Sequence, residues 1–206
     1  MTEDLYIHHS VRIHQGKIVL DGVILFESKL STADLALSAY EHFALRYPKF
    51  YKMDLMGKLG ILSSSLLMQH ESIVEVDDYR KGIILQNSQS SLFADRLYQK
   101  TIYELPSPAL FVYTLPNIVL GEIAIRNGFK GENTFFIEQM FNPGRLCQCV
   151  NPIFDMDIAD CLIAGYFDFN HQEQDILLCL VSRSYGPQSF NPDTLRKLYH
   201  QQVEAT

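Results

Sequence analysis

The chain has 206 residues, 47% hydrophobic and 12% aromatic, enough to bury one substantial core within a single domain spanning 1–206. A formal net charge of −7 argues against nucleic acid as a partner, because a phosphate backbone requires clustered lysines and arginines. No apolar run approaches the roughly 20 residues that span a bilayer, and the opening MTEDLYIHH lacks the features of a secretory signal. We therefore expect a cytoplasmic protein with no membrane span, whose four cysteines are reduced.

The first third of the sequence predicts a hairpin followed by helices. Residues 11–27 contain short apolar alternations interrupted by Gln-Gly and Asp-Gly, which are turn-forming dipeptides. A helix is predicted from Ser31 or Thr32, either of which is a favourable cap, toward Pro48.

A second helix is predicted from about 52 to 70. Its glycines Gly57 and Gly60 each cost roughly 1 kcal/mol of helix propensity against alanine. They therefore indicate that another backbone packs closely against this helix.

Strand and helix patterns then alternate along the chain. A proline-interrupted helical region extends to about Asp157, and Pro152 is expected to kink or end it. Two apolar runs that follow predict a pair of strands. The earlier predicted elements are strands at 82–88, 109–114 and 133–139, and helices at 92–104 and 117–128. This order is typical of an α/β layered domain.

Three motifs follow one another in a fixed order between residues 107 and 168. They are Pro116-Asn117, then Ile125 to Gly128 followed by Gly131 to Asn133, and finally Asp157 to Gly165. Their order and spacing resemble the N-terminal half of β-ketoacyl synthases, the condensing enzymes of the thiolase-like superfamily. The resemblance implies a thiolase-like half-domain, a mixed sheet flanked by helices; the first fifty residues do not match.

The resemblance places Met140 where a ketosynthase carries its nucleophilic cysteine, nine positions beyond Gly131. A thioether has no ionisable proton and cannot form the acyl thioester that condensation requires. Ketosynthases also use two histidines from their C-terminal half. No histidine of this sequence lies in the sequence motifs in which the family carries them. No residue is therefore expected to be catalytic, and Glu138, Gln139 and Met140 form a degenerate site, with no cofactor and no metal.

Two interpretations of this segment remain open. In chain length factors, which are ketosynthase relatives, glutamine replaces the cysteine, but Gln139 lies one position early for that replacement. The simpler interpretation is that Met140 fills a gap in the core.

Other candidate sites have ordinary explanations. Cys147-x-Cys149 lacks a second pair of ligands at zinc-like spacing, so buried thiols are the better interpretation. The histidines His8, His9 and His14 lie near a terminus, and we expect them to be solvated.

The resemblance also implies a dimer. In the family, the strand that leads to the nucleophile pairs across a twofold axis, and an unpaired apolar strand would be an aggregation hazard. The candidate interface residues are Asn117, Gly121, Asn133, Phe135 and Ile137. The expected partner is a second copy or a full-length ketosynthase, with acyl carrier protein as a further candidate. The face that a second half-domain covers in the family must be polar here or covered by a partner.

These observations favour a non-catalytic ketosynthase-like subunit, an accessory or partner protein in fatty-acid, polyketide or polyene-type acyl chain biosynthesis. One alternative is a binding module for an acyl chain or its carrier protein. The other is an acyltransferase or hydrolase that uses Cys147, Cys149 or Cys161.

Overall fold

The computed structural model describes residues 4–69 and 76–201. Its strands are β1 (Tyr6–His14), β2 (Lys17–Leu20), β3 (Val23–Glu27), β4 (Lys81–Asn87), β5 (Asn133–Ile137), β6 (Cys161–Phe169), β7 (Gln174–Ser182) and β8 (Gln188–Ser189). Its α-helices are α1 (Thr32–His42), α2 (Leu55–Leu67), α3 (Leu92–Ile102), α4 (Pro108–Val112), α5 (Ile118–Asn127), α6 (Pro143–Asp155) and α7 (Pro192–His200). Across these two ranges, no helix is both long and apolar enough to cross a membrane.

The strands form one mixed sheet in the order β3-β2-β1-β7-β6-β4-β5, with β8 paired to β1. β4 runs parallel to both β5 and β6, and the remaining pairs are antiparallel. Strands β4 and β6 are buried along their whole length, which explains their continuous apolar runs. The predicted layered α/β fold class is thereby confirmed.

Each face of the sheet carries its own hydrophobic core. On one face, α1, α2 and α5 pack against alternate residues of β4 and β6, including Ile83 and Ile163. On the other face, α6 and α7 pack against the intervening residues, including Ile84 and Ala164. The period of two along each strand therefore divides the apolar residues between the two helical layers.

The predicted N-terminal hairpin is present and extends into a three-stranded meander. Gln15 and Gly16 at the first turn both have positive φ, at 48° and 77°, as a tight hairpin turn requires. β1 lies inside the sheet between β2 and β7, whereas β3 forms one sheet edge. A β-bulge between Ile18 and Val19 interrupts the regular pairing of β2 with β3. The unmatched N-terminal segment is thus part of the sheet.

One prediction for the helical segments was wrong, and a second was wrong in part. Residues 109–114, predicted as a strand, lie largely in the short helix α4, because Ser107 caps it by accepting from the Leu110 amide at 3.3 Å. Pro108 occupies the first helical position, where a missing N–H costs nothing. Pro152 was expected to kink or end α6; the helix does not end there and continues to Asp155.

The histidine prediction was wrong for two of three residues. His8 and His9 are half-buried within β1, because that strand lies inside the sheet. His8 Nε2 lies 2.7 Å from the Ser182 hydroxyl, and His9 Nδ1 lies 2.7 Å from the Asp21 carboxylate. His14 is exposed, as expected.

The close approach predicted from the α2 glycines occurs at Gly60. A Cβ atom there would lie 2.5 Å from Val119 Cγ2 and 3.4 Å from Ile123 Cδ1, both on α5. Gly57 is different, because its neighbours Asp54 and Met53 are the two residues that immediately precede its own helix.

Replacing Gly60 with alanine should therefore destabilise the fold by about 1–2 kcal/mol, since the clash with α5 outweighs the gain in helix propensity. The matched control is Gly121→Ala on α5, where an added Cβ would have nothing within 4 Å. That control should stabilise the chain by up to about 1 kcal/mol. Urea unfolding of the three proteins measures both effects, and equal midpoints for the two variants would contradict the assigned contact.

Candidate functional site

Met140 lies in the segment that connects the edge strand β5 to α6. It precedes the α6 N-cap, Asn142, by two residues, and the Asn142 side chain accepts from the Arg145 amide at 3.0 Å. The Met140 side chain is 70% exposed. The expectation that it fills a core gap was wrong, because no further strand among those described covers the outer side of β5.

Glu138 and Gln139 do not converge with Met140 into a pocket. The Glu138 amide donates to the Asn87 carbonyl at 2.8 Å, and its carboxylate lies 3.5 Å from Arg145 Nε. Gln139 is exposed. The segment therefore presents one ion pair, one amide and one thioether, none of which is an activated nucleophile. Its assignment as a degenerate catalytic site stays a prediction.

A buried polar cluster lies behind this segment, at the carboxyl ends of β4 and β6. The Asp168 carboxylate accepts from the Tyr166 hydroxyl at 2.9 Å and from both the amide and the hydroxyl of Ser88. Burial raises the pKa of Tyr166 above its usual range, so this phenol stays protonated at neutral pH. Phe141 packs against the cluster, and its ring centroid lies 5.6 Å from that of Tyr166.

Sequence reasoning missed this cluster. The available signal was the alternation in β4, where Gln86 follows Ile84 on the same face of a strand that is buried on both faces. The Gln86 side chain is fully buried, and neither its amide nitrogen nor its oxygen has a hydrogen-bond partner among the described residues. Carboxyl ends of parallel strands are the usual ligand-binding edge of open α/β sheets.

The four cysteines are free thiols without the properties of nucleophiles. Burial raises the pKa of Cys147 to about 11 and that of Cys161 to about 12. Burial also raises the pKa of Cys149 and of Cys179. Activated cysteines have lowered pKa values, so these shifts weigh against an acyltransferase or hydrolase based on a thiolate.

Metal ligation finds no support in the described parts of the chain. Across residues 4–69 and 76–201, no three His, Cys, Asp or Glu side chains lie together so that they could hold a metal ion.

The predicted interface residues of β5 lie on an edge of the sheet that no other described strand covers. The Ile83 amide donates to the Glu132 carbonyl and the Glu138 amide to the Asn87 carbonyl. In a ladder the residues that face the partner alternate, so the even-numbered residues from 132 to 138 bond to β4. The backbone groups of Asn133, Phe135 and Ile137 therefore point away from β4.

The neighbouring face of α5 is also uncovered. Asn117 and Gly121 are exposed, and Ile125, one turn further along the same face, is 71% exposed. α5 packs beside β5, where Ile137 is 53% exposed. The segment before α5 adds three exposed apolar side chains, Phe111, Val112 and Leu115. A contiguous apolar patch is typical of a surface that binds another protein, and the interface at β5 and α5 stays a prediction.

Comparison with solved structures defines the fold class. The ishigamide ketosynthase/chain length factor aligns with a TM-score of 0.65 at 13% identity, over 90% of this chain and 64% of that chain. A type II polyketide synthase acyl-carrier protein in complex with its ketosynthase bound to the hexaketide gives 0.59 at 10% identity, over 87% and 62%. A ketosynthase in complex with its chain length factor from Xenorhabdus doucetiae gives 0.54 at 11% identity, over 89% and 80%.

The chain therefore has the fold of thiolase-like, ketosynthase-type proteins, and the resemblance predicted from its sequence is confirmed at the level of the fold. It spans less than two thirds of the length of the first two of these structures. No protein-family model matches the sequence, and no curated protein matches it.

Proposed function

We propose that this chain is a non-catalytic ketosynthase-like subunit that pairs with a ketosynthase and serves acyl chain biosynthesis of the fatty-acid, polyketide or polyene type. The observation that carries the proposal is Met140, an exposed thioether at the position expected for the nucleophile. A thiolate is required there for acyl transfer. The high pKa values of Cys147 and Cys149 offer no substitute nearby.

Pairing occurs through the free edge of β5 and the adjoining face of α5. The outward backbone groups of Asn133, Phe135 and Ile137 pair with a strand of the partner, and Ile125 supplies apolar contact beside them. The solved neighbours support a ketosynthase as the partner, because two of them contain a ketosynthase with a chain length factor. One chain of the Xenorhabdus doucetiae complex is also similar in length to this one.

Acyl carrier protein is the expected third component, since one structural neighbour is an acyl-carrier protein in complex with its ketosynthase. A second copy of this chain is the competing partner for the same edge, because strands that pair across a twofold axis give a closed dimer.

The first experiment is to recover the tagged chain from its source cell and to measure the native mass and identity of every co-purifying subunit. We expect a complex with a full-length ketosynthase. Recovery as a monomer, or only as a dimer of itself, contradicts the proposal.

A substitution at the free edge tests the surface. Ile137→Pro removes an outward backbone N–H while leaving the even-numbered residues of β5 bonded to β4. We expect it to reduce ketosynthase recovery at least about tenfold, which corresponds to roughly 1.4 kcal/mol of lost association free energy. The matched control Ile137→Val keeps the N–H and should bind as the wild type does. Equal recovery of ketosynthase by both variants would place the interface elsewhere.

Catalytic inactivity has its own measurement. The pure chain, mixed with malonyl-acyl carrier protein, should release no carbon dioxide above the rate without protein. Decarboxylation that disappears on alkylation of the cysteines would establish a thiol enzyme and exclude the non-catalytic assignment.

A further inference from the structure

A cavity of about 570 Å³ lies between α3 and the turn that joins β6 to β7. Its volume falls within the roughly 300–1,000 Å³ typical of small-molecule sites. It is separate from the segment around Met140, and none of the predicted site or interface residues lines it.

The lining includes a cluster of aromatic rings. The ring of Phe93 on α3 lies 5.5 Å from that of Phe169 and 4.7 Å from that of His171, measured between centroids. Leu97, one helical turn beyond Phe93, adds an aliphatic side chain. Such a lining favours the apolar body of a ligand, because burial there removes carbon surface from water.

The cavity is also lined by two cations. Arg96 and Lys100 lie one turn apart on α3, and neither makes an ion pair within the ranges that the structure describes. Among the described residues no carboxylate lines the cavity. In a chain of net charge −7, two unpaired cations beside an apolar surface favour an anionic group on the ligand.

Two carboxylates lie near these segments, and among the described residues neither forms an ion pair with Arg96 or Lys100. Glu173, in the β6–β7 turn, accepts a hydrogen bond from the Asn170 side chain at 3.1 Å. Asp95 on α3 lies 3.3 Å from the Ser91 hydroxyl, which donates to the Thr114 carbonyl at 2.6 Å. Arg96 therefore remains available to a ligand.

The turn that lines the cavity is held in place by its own hydrogen bonds. The Asn170 amide donates to the Glu173 carbonyl at 2.8 Å, and the Asn170 side chain accepts from the amides of Gln172 and Glu173. The Thr32 amide donates to the His171 carbonyl at 3.0 Å. Ordering this side of the site therefore costs little binding free energy when a ligand binds.

We propose that this cavity binds an amphiphilic small-molecule anion, with its apolar body against Phe93, Leu97 and Phe169 and its carboxylate or phosphate group between Arg96 and Lys100. The inference stands independently of pairing with a ketosynthase, because it uses neither β5 nor α5.

The test is calorimetric titration of the full chain with decanoate, decyl phosphate and decanol, each below the concentration at which it aggregates. Decanol has the same ten-carbon body without the charge. At least one anion should bind about tenfold or more tightly than decanol, since a charge-assisted pair with Arg96 or Lys100 contributes an interaction that decanol lacks.

The double variant Arg96→Gln, Lys100→Gln should weaken anion binding about tenfold or more while leaving decanol binding unchanged. The matched control is Lys29→Gln, Lys52→Gln, which removes the same charge at exposed positions outside the cavity. Leu97→Asp, which places a carboxylate in the lining, should weaken binding of both anions.

The outcomes separate the two head groups. Binding of decanoate alone identifies a carboxylate ligand, and binding of decyl phosphate alone identifies a phosphate monoester; either result, or both, supports the site. Equal affinity for decanol, an unchanged anion affinity in the Arg96 and Lys100 variant, or no binding of any probe would overturn the proposal.

Discussion

Replacing Gly165 with alanine should destabilise the fold by about 3 kcal/mol, near the upper end of the cost of overpacking a core. Gly165 lies in the fully buried β6, paired with Leu178 of β7 on one side and Leu85 of β4 on the other. A Cβ atom there would lie 1.9 Å from the Leu177 carbonyl oxygen and 3.0 Å from Leu178 Cα. Both are backbone atoms, so no side-chain rotation relieves the clash and β7 itself has to shift.

Urea unfolding monitored by far-ultraviolet circular dichroism measures this effect. Gly144→Ala is the control, because a Cβ atom there would meet only the Asn142 side-chain oxygen, at an ordinary 3.6 Å. That control should lie within about 0.5–1 kcal/mol of the wild type. A Gly165→Ala midpoint equal to that of Gly144→Ala would show that β6 and β7 are further apart than described.

The second large effect is a dependence of stability on pH that originates at Asp54. Asp54 is the N-cap of α2, and its carboxylate accepts from the Gly57 amide at 2.8 Å. Burial raises its pKa to about 6, with a smaller contribution from Glu122, against the lowering effect of the backbone amides and of Lys58. An aspartate in an unfolded chain has a pKa of about 3.9, so the native state holds this proton more tightly.

The sign of the effect follows from proton linkage. Between about pH 4 and pH 6 the native state binds more protons at Asp54 than the unfolded state does, so this contribution to stability decreases as pH rises. It is complete below about pH 4 and lost above about pH 6, and a shift of this size corresponds to about 3 kcal/mol. Asp54→Asn keeps a good capping residue without the titration.

The measurement is the free energy of unfolding of the wild type and of Asp54→Asn at several pH values from 4 to 7.5. Other carboxylates, such as Asp78, have lowered pKa values, so only the difference between the two proteins isolates Asp54. The variant should gain relative to the wild type as pH rises, by about 2–3 kcal/mol overall. If the free energies of unfolding of the two proteins changed in parallel with pH, the Asp54 pKa would be the same in the folded and unfolded states.

Where local chemistry determines local structure, the sequence was a sufficient guide. The cap at Ser31, the left-handed glycine at Gly128 and the turn at Gln15-Gly16 all occupy the positions that their residue types favour. The apolar run at 109–114 was ambiguous because a short apolar run has no distinct period. The cap at Ser107 and the proline in the first turn favour the helix that forms there.

The candidate site was less predictable, because exposure depends on strand order. The position of Met140 was read from motif spacing, but its exposure follows from β5 lying at the end of the sheet, which no local pattern specifies. The cluster of Ser88, Tyr166 and Asp168 required knowing that β4 and β6 are neighbours. The cavity beside Arg96 likewise depends on where the β6–β7 turn lies relative to α3.

The two ends of the described sheet have unequal consequences for self-association. β5 offers a regular free edge, whereas the bulge between Ile18 and Val19 distorts the pairing that positions β3 at the other end. When β5 of one copy pairs with β5 of a second copy, both β5 edges are covered and the assembly is a closed dimer. When β5 of one copy pairs with β3 of the next, each added copy leaves one edge uncovered, so the assembly extends into a fibre. An irregular β3 is a poor template for a flat incoming strand. Without the bulge, β3 would present a regular edge to β5 of another copy. Self-association of the chain would then change from a closed dimer to an open-ended polymer.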